Sequence, residues 1–404
     1  MAITTILLVY LILNTIIWVL RHRDLSRAKK TAESLDSKYP TKPELTWPKV
    51  SVLVAGKNEE KNIERCLRSL VKQNYPNLEV IAINDRSDDK TGEIMDTVAA
   101  ESNGRLRIVH IKKLTEGWLG KSHAMHEGAK LATGDYLVFT DADCFFQCPD
   151  TIRIGVQYAT DRQIELLSIL PVLETKSFWE RVLQPVCSVI LMLWFRPEWV
   201  NNPAKKAAYA NGAFMLFQRS CYEKIHGHES VKTAINEDME FAGLVKSNGM
   251  KLYVVQNRDL YRTRMYDNFK GTFFGWSRIY YGCFAKVSRV AIALIVLVLV
   301  SLLPYLIFLG SLGLATLNGW SFPARSWWNV MACSILAMIA QMSVLTRFYH
   351  MMGAKWYRAF SYPLGASVAM AILINSLRKF AGSKILWRGN EIHHKDLHPV
   401  EKNK

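Results

Sequence analysis

No two of the seven cysteines are spaced as Cys-x-x-Cys. The closest pair, Cys144 and Cys148, has one residue too many for a zinc knuckle or a dithiol redox site. Cys66, Cys187, Cys221, Cys283 and Cys333 are scattered, and all seven read as reduced packing residues. A phosphate-binding P-loop is also missing. Gly120-Lys121-Ser122 has its last three residues, but the glycine required five positions before Gly120 is Thr115, which excludes an ATPase of that type. Acid is scarce: 35 Asp and Glu against 51 Lys and Arg leave a formal charge of +16. That excess does not describe a nucleic-acid protein, because the basic residues cluster beside apolar runs and in the tail, without interleaved aromatics. Their placement suits anionic lipid headgroups.

Apolar sequence, by contrast, is abundant, at half of all residues. Ala2 to Leu20 carries no charge and is about the length that crosses a bilayer. Arg21, His22, Arg23, Arg27, Lys29 and Lys30 follow it, whereas a cleaved signal peptide carries its positive charges in front. We expect an uncleaved anchor over residues 1–22, with the next domain in the cytoplasm by the positive-inside rule. Val290 to Leu317, Trp327 to Thr346 and Phe360 to Ser376 predict a second membrane region over residues 288–378. Trp320, Trp327, Trp328, Trp356 and Tyr357 fall near the ends of these runs, where amphipathic rings settle.

The expected setting is therefore a multi-pass protein of a cell membrane, such as a bacterial inner membrane. Crossings counted this way put the tail, residues 379–404, outside, although Arg378, Lys379, Lys384, Arg388, Lys395, Lys402 and Lys404 argue for inside. Either Phe360 to Ser376 is re-entrant or interfacial, or the stretch around Pro304 hides an extra turn. His393, His394 and His398 read as part of a disordered basic end rather than a metal site. Phe178 to Trp199 has an apolar centre, Val186 to Phe195, too short to span, and is expected to lie in the headgroup region.

Residues 48–285 alternate strand and helix patterns. Lys49 to Ala55, Leu78 to Ile83, Leu106 to His110 and Tyr136 to Phe139 predict buried strands, with helices near Ile63 to Leu70, Thr91 to Ala100 and Ser122 to Leu131. The fold class is α/β: a mostly parallel sheet with helices on both faces, flanked by transmembrane helices. Ligands of such sheets bind beyond the carboxyl ends of the strands, so Asn58, Asp85 and Asp141 share one crevice. Asp141-Ala142-Asp143 sets two carboxylates one residue apart at such an end. That pattern suits a hard divalent cation, Mg2+ or Mn2+, shared with substrate phosphates.

Four segments in order carry a resemblance. Ala55-Gly56-Lys57-Asn58-Glu59-Glu60, Asn84-Asp85-Arg86-Ser87-Asp88-Asp89-Lys90-Thr91, Asp141-Ala142-Asp143 and Asn236-Glu237-Asp238 look like the motifs of family 2 glycosyltransferases. The resemblance implies the GT-A nucleotide-sugar-binding fold. Ser177 to Pro185, Tyr209-Ala210-Asn211-Gly212, Thr263-Arg264-Met265-Tyr266, Gly275-Trp276-Ser277, Asn375 to Arg378 and Leu386 to Gly389 are similar to membrane-bound members that glycosylate lipids. Those members are the diaponeurosporenoate and hopanoid-associated enzymes.

The implied reaction is inverting transfer of a hexose from a nucleotide sugar, expected to be UDP-linked, to a lipid or amphiphilic acceptor. Asp143 would ligate the metal, with Asp141 second and nearer the ribose or a metal-bound water. Asn58, Glu59, Asp85, Lys121 and Arg278 would contact the donor, and Glu237 and Trp276 the acceptor. Asp238 would be the general base. Phe273 to Arg278 stands where processive polysaccharide synthases carry Gln-x-x-Arg-Trp, which weakens that alternative. A catalytically silent membrane partner that only binds nucleotide sugar is the other. On this reading the full chain should remain with the membrane pellet after high-salt and alkaline washes and leave it only in detergent. Recovery in the wash would contradict the membrane assignment.

Overall fold

The protein was analysed as a computed structural model, described over residues 2–31, 33–42, 47–317, 325–382, 385–387 and 390–392. Trp320, His393, His394, His398, Lys384, Arg388, Lys395, Lys402 and Lys404 lie outside the described residues. The chain divides into two compact units. One, mainly helical, comprises Met1–Thr31, Thr175–Leu193 and Tyr266–Ala381; the other comprises Ala32–Glu174, Trp194–Met265 and Gly382–Lys404.

The second unit is built on β1 (Ser34–Leu35), β2 (Val50–Gly56), β3 (Leu78–Asp85), β4 (Leu106–Ile111) and β5 (Tyr136–Asp141). β6 (Cys144–Phe146), β7 (Leu166–Leu170), β8 (Val172–Leu173), β9 (Met215–Gln218), β10 (Leu252–Asn257) and β11 (Tyr261–Thr263) follow. Eight strands form one sheet in the order β1-β10-β7-β9-β5-β2-β3-β4, and β6-β11-β8 form a second. All pairings in the large sheet are parallel except those of β9, which runs against β5 and β7.

The period of two is visible in β2. Val52 and Val54 enter one apolar core, Leu53 the core on the opposite face, and all three are fully buried. Register then sets the crevice. Ala55 pairs with Asp141 and Gly56 with Asn84, so β2, β3 and β5 end level with one another.

The helices of the chain are α1 (Ala2–Thr31), α2 (Ile63–Val71), α3 (Thr91–Ala100), α4 (Gly120–Ala129), α5 (Thr151–Asp161), α6 (Phe178–Trp194) and α7 (Pro197–Val200). After them come α8 (Arg219–Lys224), α9 (Glu237–Ser247), α10 (Phe269–Phe284), α11 (Val287–Val296), α12 (Leu303–Leu317), α13 (Arg325–Met351) and α14 (Tyr362–Phe380). The strand and helix positions expected between 48 and 140 are all present.

The expected domain boundary at 285 is not where the units divide, because α6 and α10 belong to the helical unit. A methyl at Gly365 of α14 would come within 2.8 Å of the Val182 carbonyl of α6, so these helices meet at backbone distance. Trp276 of α10 donates from Nε1 to Gln184 Oε1 of α6 at 3.0 Å. The start of α6 is a capping box: the Glu180 N–H donates to Ser177 Oγ, while the Glu180 carboxylate accepts from the Lys176 and Ser177 N–H groups.

Among the described residues five segments are long and apolar enough to cross a membrane: Ala2–Arg27, Phe178–Val200, Val287–Leu317, Ser326–Met351 and Trp356–Phe380. Phe178–Val200 is longer than the apolar centre read from the sequence. It is also the most interior, 61% buried against 22–39% for the others. The extra turn anticipated around Pro304 is absent. α11 and α12 are continuous through a π-helical turn, Leu297–Leu302. Proline has no N–H for the carbonyl four residues back, which is Val300. Asn14 Nδ2 and Trp18 Nε1 of α1 donate to that carbonyl at 3.1 and 3.2 Å. Tyr10 donates to the Leu299 carbonyl, and Gln341 Nε2 to that of Ser301 at 3.2 Å.

Two glycines of the sheet unit should respond oppositely to a methyl. At Gly134 it would lie 2.5 Å from the Ser51 backbone nitrogen. Gly134→Ala should therefore destabilise the protein by about 1–3 kcal/mol, read as a lower thermal midpoint in detergent. At Gly243, inside α9, nothing lies within 4 Å. Gly243→Ala should raise stability by about 0.5–1 kcal/mol through helix propensity.

Candidate active site

Three elements bring the charged groups together. β5 ends at Asp141, α4 begins with Gly120-Lys121, and α9 begins with Glu237-Asp238. Lys121 Nζ lies 2.6 Å from Asp141 Oδ1 and 2.6 Å from Glu237 Oε1. Burial alone would lower its pKa, but Asp141 and Glu237 together hold the ammonium well above its ordinary range. Asp238 Oδ2 accepts from the Gly212 N–H at 2.9 Å, and Oδ1 accepts from the Met239 N–H at 2.8 Å. Burial first, and the charge of Glu237 second, push the Asp238 carboxyl up to about 7 against the pull of Lys121 and the two backbone bonds.

Gly212 sits at the centre. A methyl there would lie 3.2 Å from Lys121 Nζ, 3.6 Å from Asp238 Oδ2 and 3.7 Å from Asp141 Oδ2. The antiparallel β9 explains why this residue is here. Phe139 pairs with Met215, so the segment just before β9 passes the carboxyl end of β5, where Thr140 Oγ1 donates to the Ala213 carbonyl at 2.7 Å. The sequence signal was the segment Tyr209-Ala210-Asn211-Gly212, which was recognised without a role.

Asp143 lies just past β5 and accepts from Thr263 Oγ1 of β11 at 2.9 Å. Asp141, 35% exposed at its side chain, opens towards solvent. Among the described residues no group of three or more His, Cys, Asp or Glu side chains converges as a metal cage. Two neighbouring carboxylates still fit Mg2+ or Mn2+, which take their remaining oxygens from phosphates and water.

Asp85 ends β3 nearly buried, and Arg86 Nε donates to its Oδ1 at 2.8 Å. Asn58, at φ 56°, does not cap α2; Asn62 stands at that position. Asn58 joins two loops instead: its N–H donates to Ser87 Oγ at 3.1 Å and its Oδ1 accepts from the Asp88 N–H at 2.9 Å. Glu59 is buried, takes a 2.9 Å bond from Asn62 Nδ2, and donates its N–H to Thr91 Oγ1 at 2.7 Å.

Lys121, Asp141, Glu237 and Asp238 are thus gathered at one point, with Asp85 and Asp143 on the same strand edge. Trp276 and Arg278 are on α10, which belongs to the helical unit. Trp276 is 3% exposed with its indole N–H engaged by Gln184, so in this structure it packs rather than offering a face to an acceptor.

Residues 51–225 match the family described as "Glycosyl transferase family 2". That segment holds β2 to β5 and β9, and with them the carboxyl edge of the sheet. Over 232 residues it is 26% identical to the 4,4'-diaponeurosporenoate glycosyltransferase of Staphylococcus aureus, covering 57% of this chain and 60% of that protein. The chain thus aligns with about three-fifths of the length of the curated relatives it matches. Its fold is shared by the mannosyltransferase PcManGT from Pyrobaculum calidifontis, solved with GDP-Man and Mn2+. That likeness has a TM-score of 0.51 at 18% identity and covers 84% of this chain and 98% of that one. The α/β unit is therefore a GT-A-like fold, as the motifs implied.

Lys121→Met leaves Glu237 buried beside Asp238 without a cation. It should cost about 3 kcal/mol or more, because removing one partner of a buried pair strands the other charge. Lys121→Met combined with Glu237→Gln should recover part of the lost thermal midpoint. A double variant no more stable than the single one would show that the lysine works elsewhere.

Proposed function

We propose that the protein is a membrane glycosyltransferase. It moves one sugar with inversion from a nucleotide sugar, a UDP-sugar on the family resemblance, to a lipid or amphiphilic acceptor. The observation that carries this reading is the convergence of Lys121, Asp141, Glu237 and Asp238 around Gly212 at the carboxyl edge of a GT-A-like sheet. The lipid acceptor is supported by the apolar helices and by the similarity to an enzyme named for diaponeurosporenoate.

Each group has a task. Asp85, at the end of β3, accepts an N–H of the donor's base or the ribose hydroxyl, with Glu59 and Asn58 shaping the neighbouring loop. Lys121, at the first turn of α4, faces the diphosphate with a full positive charge beside the helix amides. Asp141 and Asp143 are the residues that would hold a divalent cation, which when bound neutralises charge on the leaving diphosphate. Asp238 takes the proton of the acceptor hydroxyl as its oxygen attacks the anomeric carbon. Its two backbone hydrogen bonds hold the carboxylate in one orientation.

The test is nucleoside diphosphate release by detergent-purified protein with a panel of nucleotide sugars, with and without a lipid extract and a divalent metal. Asp238→Asn should reduce turnover about 10²- to 10⁴-fold while donor binding persists. Release that needs no lipid would point to hydrolysis or a soluble acceptor, and none under any condition would favour a silent binding partner.

The pH profile is a second check. The base must be ionised, so kcat/KM should rise with pH and level off above about 7. Folding raises this carboxyl from 3.8 to about 7, so the native state retains a proton that the unfolded chain releases. Stability from this group therefore falls as pH rises between those values, and Asp238→Asn should remove that dependence.

A further inference from the structure

β11 is only three residues long, Tyr261–Thr263, yet it is fastened on every side. It pairs antiparallel with β6 and parallel with β8. Tyr261 is fully buried, stacks on Phe146 with ring centroids 5.3 Å apart, and donates its hydroxyl to the Ile169 carbonyl of β7 at 2.5 Å. The Tyr261 carbonyl accepts from Asn257 Nδ2 at 2.6 Å, and the Thr263 carbonyl from the Glu174 N–H at 2.8 Å. The strand period puts Thr263 on the same face as Tyr261, and it is 3% exposed.

Register decides what Thr263 meets. It pairs with Cys144, the residue after Asp143. Asp143 is thereby attached to this end of β11 at two points. Its Oδ1 accepts from Thr263 Oγ1 at 2.9 Å, and its carbonyl accepts from the Arg264 N–H at 3.3 Å. The Cys144 thiol lies 3.9 Å from the same Oδ1 but is a weak donor, and it is closer, 3.6 Å, to the Ala213 carbonyl. A β-branched side chain has few χ1 rotamers open to it, so the threonine hydroxyl is stiffly aimed. Asp143 itself stays partly exposed, so an ion from solvent can reach the carboxylate that the buried hydroxyl holds.

We infer that Thr263 is a positioning residue for the divalent cation, fixing the plane of the Asp143 carboxylate before the ion arrives. The inference rests on the metal reading of Asp141 and Asp143 above and deepens it. An ionised carboxylate only accepts, through about four lone-pair sites on its two oxygens. One bond from a rigid hydroxyl occupies one of those sites and resists rotation of the group. Without it, more of the ordering falls on the binding step and the ion is held less tightly. The strand itself does not depend on the hydroxyl. Its backbone is bonded to β6 and β8, and valine would fill the same buried space.

The experiment titrates detergent-purified full-length protein with Mn2+ in the presence of UDP, and in parallel of GDP. Free Mn2+ is followed by electron paramagnetic resonance, and the thermal midpoint is measured without metal. Thr263→Val, which keeps the shape and loses the hydroxyl, should bind Mn2+ about 10- to 100-fold more weakly. Thr263→Ser, which keeps the hydroxyl, should retain most of the wild-type affinity. Should Thr263→Val not fold, Thr263→Ala is read the same way. A lower metal-free midpoint with unchanged Mn2+ affinity would make the hydroxyl a structural group only, and overturns the inference alone. Equal losses in the serine and valine variants also overturn it, because the methyl and not the hydroxyl would then matter. Asp143→Asn tests the reading beneath it and should abolish Mn2+ binding. Wild-type affinity in that variant, or a wild type that binds no Mn2+ with either nucleotide, overturns the metal role of Asp143 and the inference together.

Discussion

A single ammonium group between two carboxylates holds the candidate site together. Lys121 reaches Asp141 and Glu237 at the same distance, 2.6 Å, and so ties α4, the end of β5 and the start of α9 to one point. Unscreened, those carboxylates would repel one another and the loops that carry them. The tight geometry explains two other features. Gly212 leaves the lysine room, since a methyl there would lie 3.2 Å from Lys121 Nζ, tighter than an ordinary contact, and at ordinary contact distance from the two aspartates. An antiparallel strand is needed at β9, because only a chain running against β5 delivers residues 211 and 212 to its carboxyl edge.

The same ion pair separates the chemistry of adjacent acids. Glu237, nearly buried, is matched by the lysine. Asp238, one position on, receives the burial and the negative charge of Glu237 without a direct cation, and its proton affinity rises to near neutrality. A carboxyl lifted towards neutrality by burial and a neighbouring negative charge is suited to exchange a proton near neutral pH. The lysine that matches the charge at 237 thus leaves the carboxyl at 238 buried beside an acid, with its proton affinity raised.

Much of this was legible in the sequence because it depends on local pattern. Apolar runs bounded by turn residues located β2, β3, β4 and β5, and the rule for parallel sheets placed Asn58, Asp85 and Asp141 on one edge before any coordinates. What was not legible depends on contacts made far along the chain. Asn58 and Asn62 both precede Ile63, and only the backbone shows that Asn62 stands at the cap position while Asn58 is left-handed. Arg86 stood in a recognised motif, yet nothing in its letter announces its φ of 55°. Trp276 read as an acceptor contact because its neighbours resemble a family segment, whereas its indole is engaged by Gln184, remote in sequence. The motifs named Lys121, Asp141, Glu237 and Asp238, which the structure gathers at one point, whereas the close approaches at Gly120 and Gly212 are visible only in the structure.

The helical unit shows the same limit from the other side. By composition Ala2 to Leu20 is an anchor and nothing more. In the structure it carries Tyr10, Asn14 and Trp18, four residues apart on one face, and these donate to the carbonyls of Leu299 and Val300. The need arises at Pro304, which withholds an N–H from Val300 and opens the π-helical turn. In apolar surroundings an unpaired carbonyl costs several kcal/mol, and water is not there to replace the missing donor. The first helix is therefore a structural member of the helical unit, matched in sequence to a proline some 290 residues away. An apolar run of equal length without that stripe would keep the hydropathy and leave two carbonyls exposed.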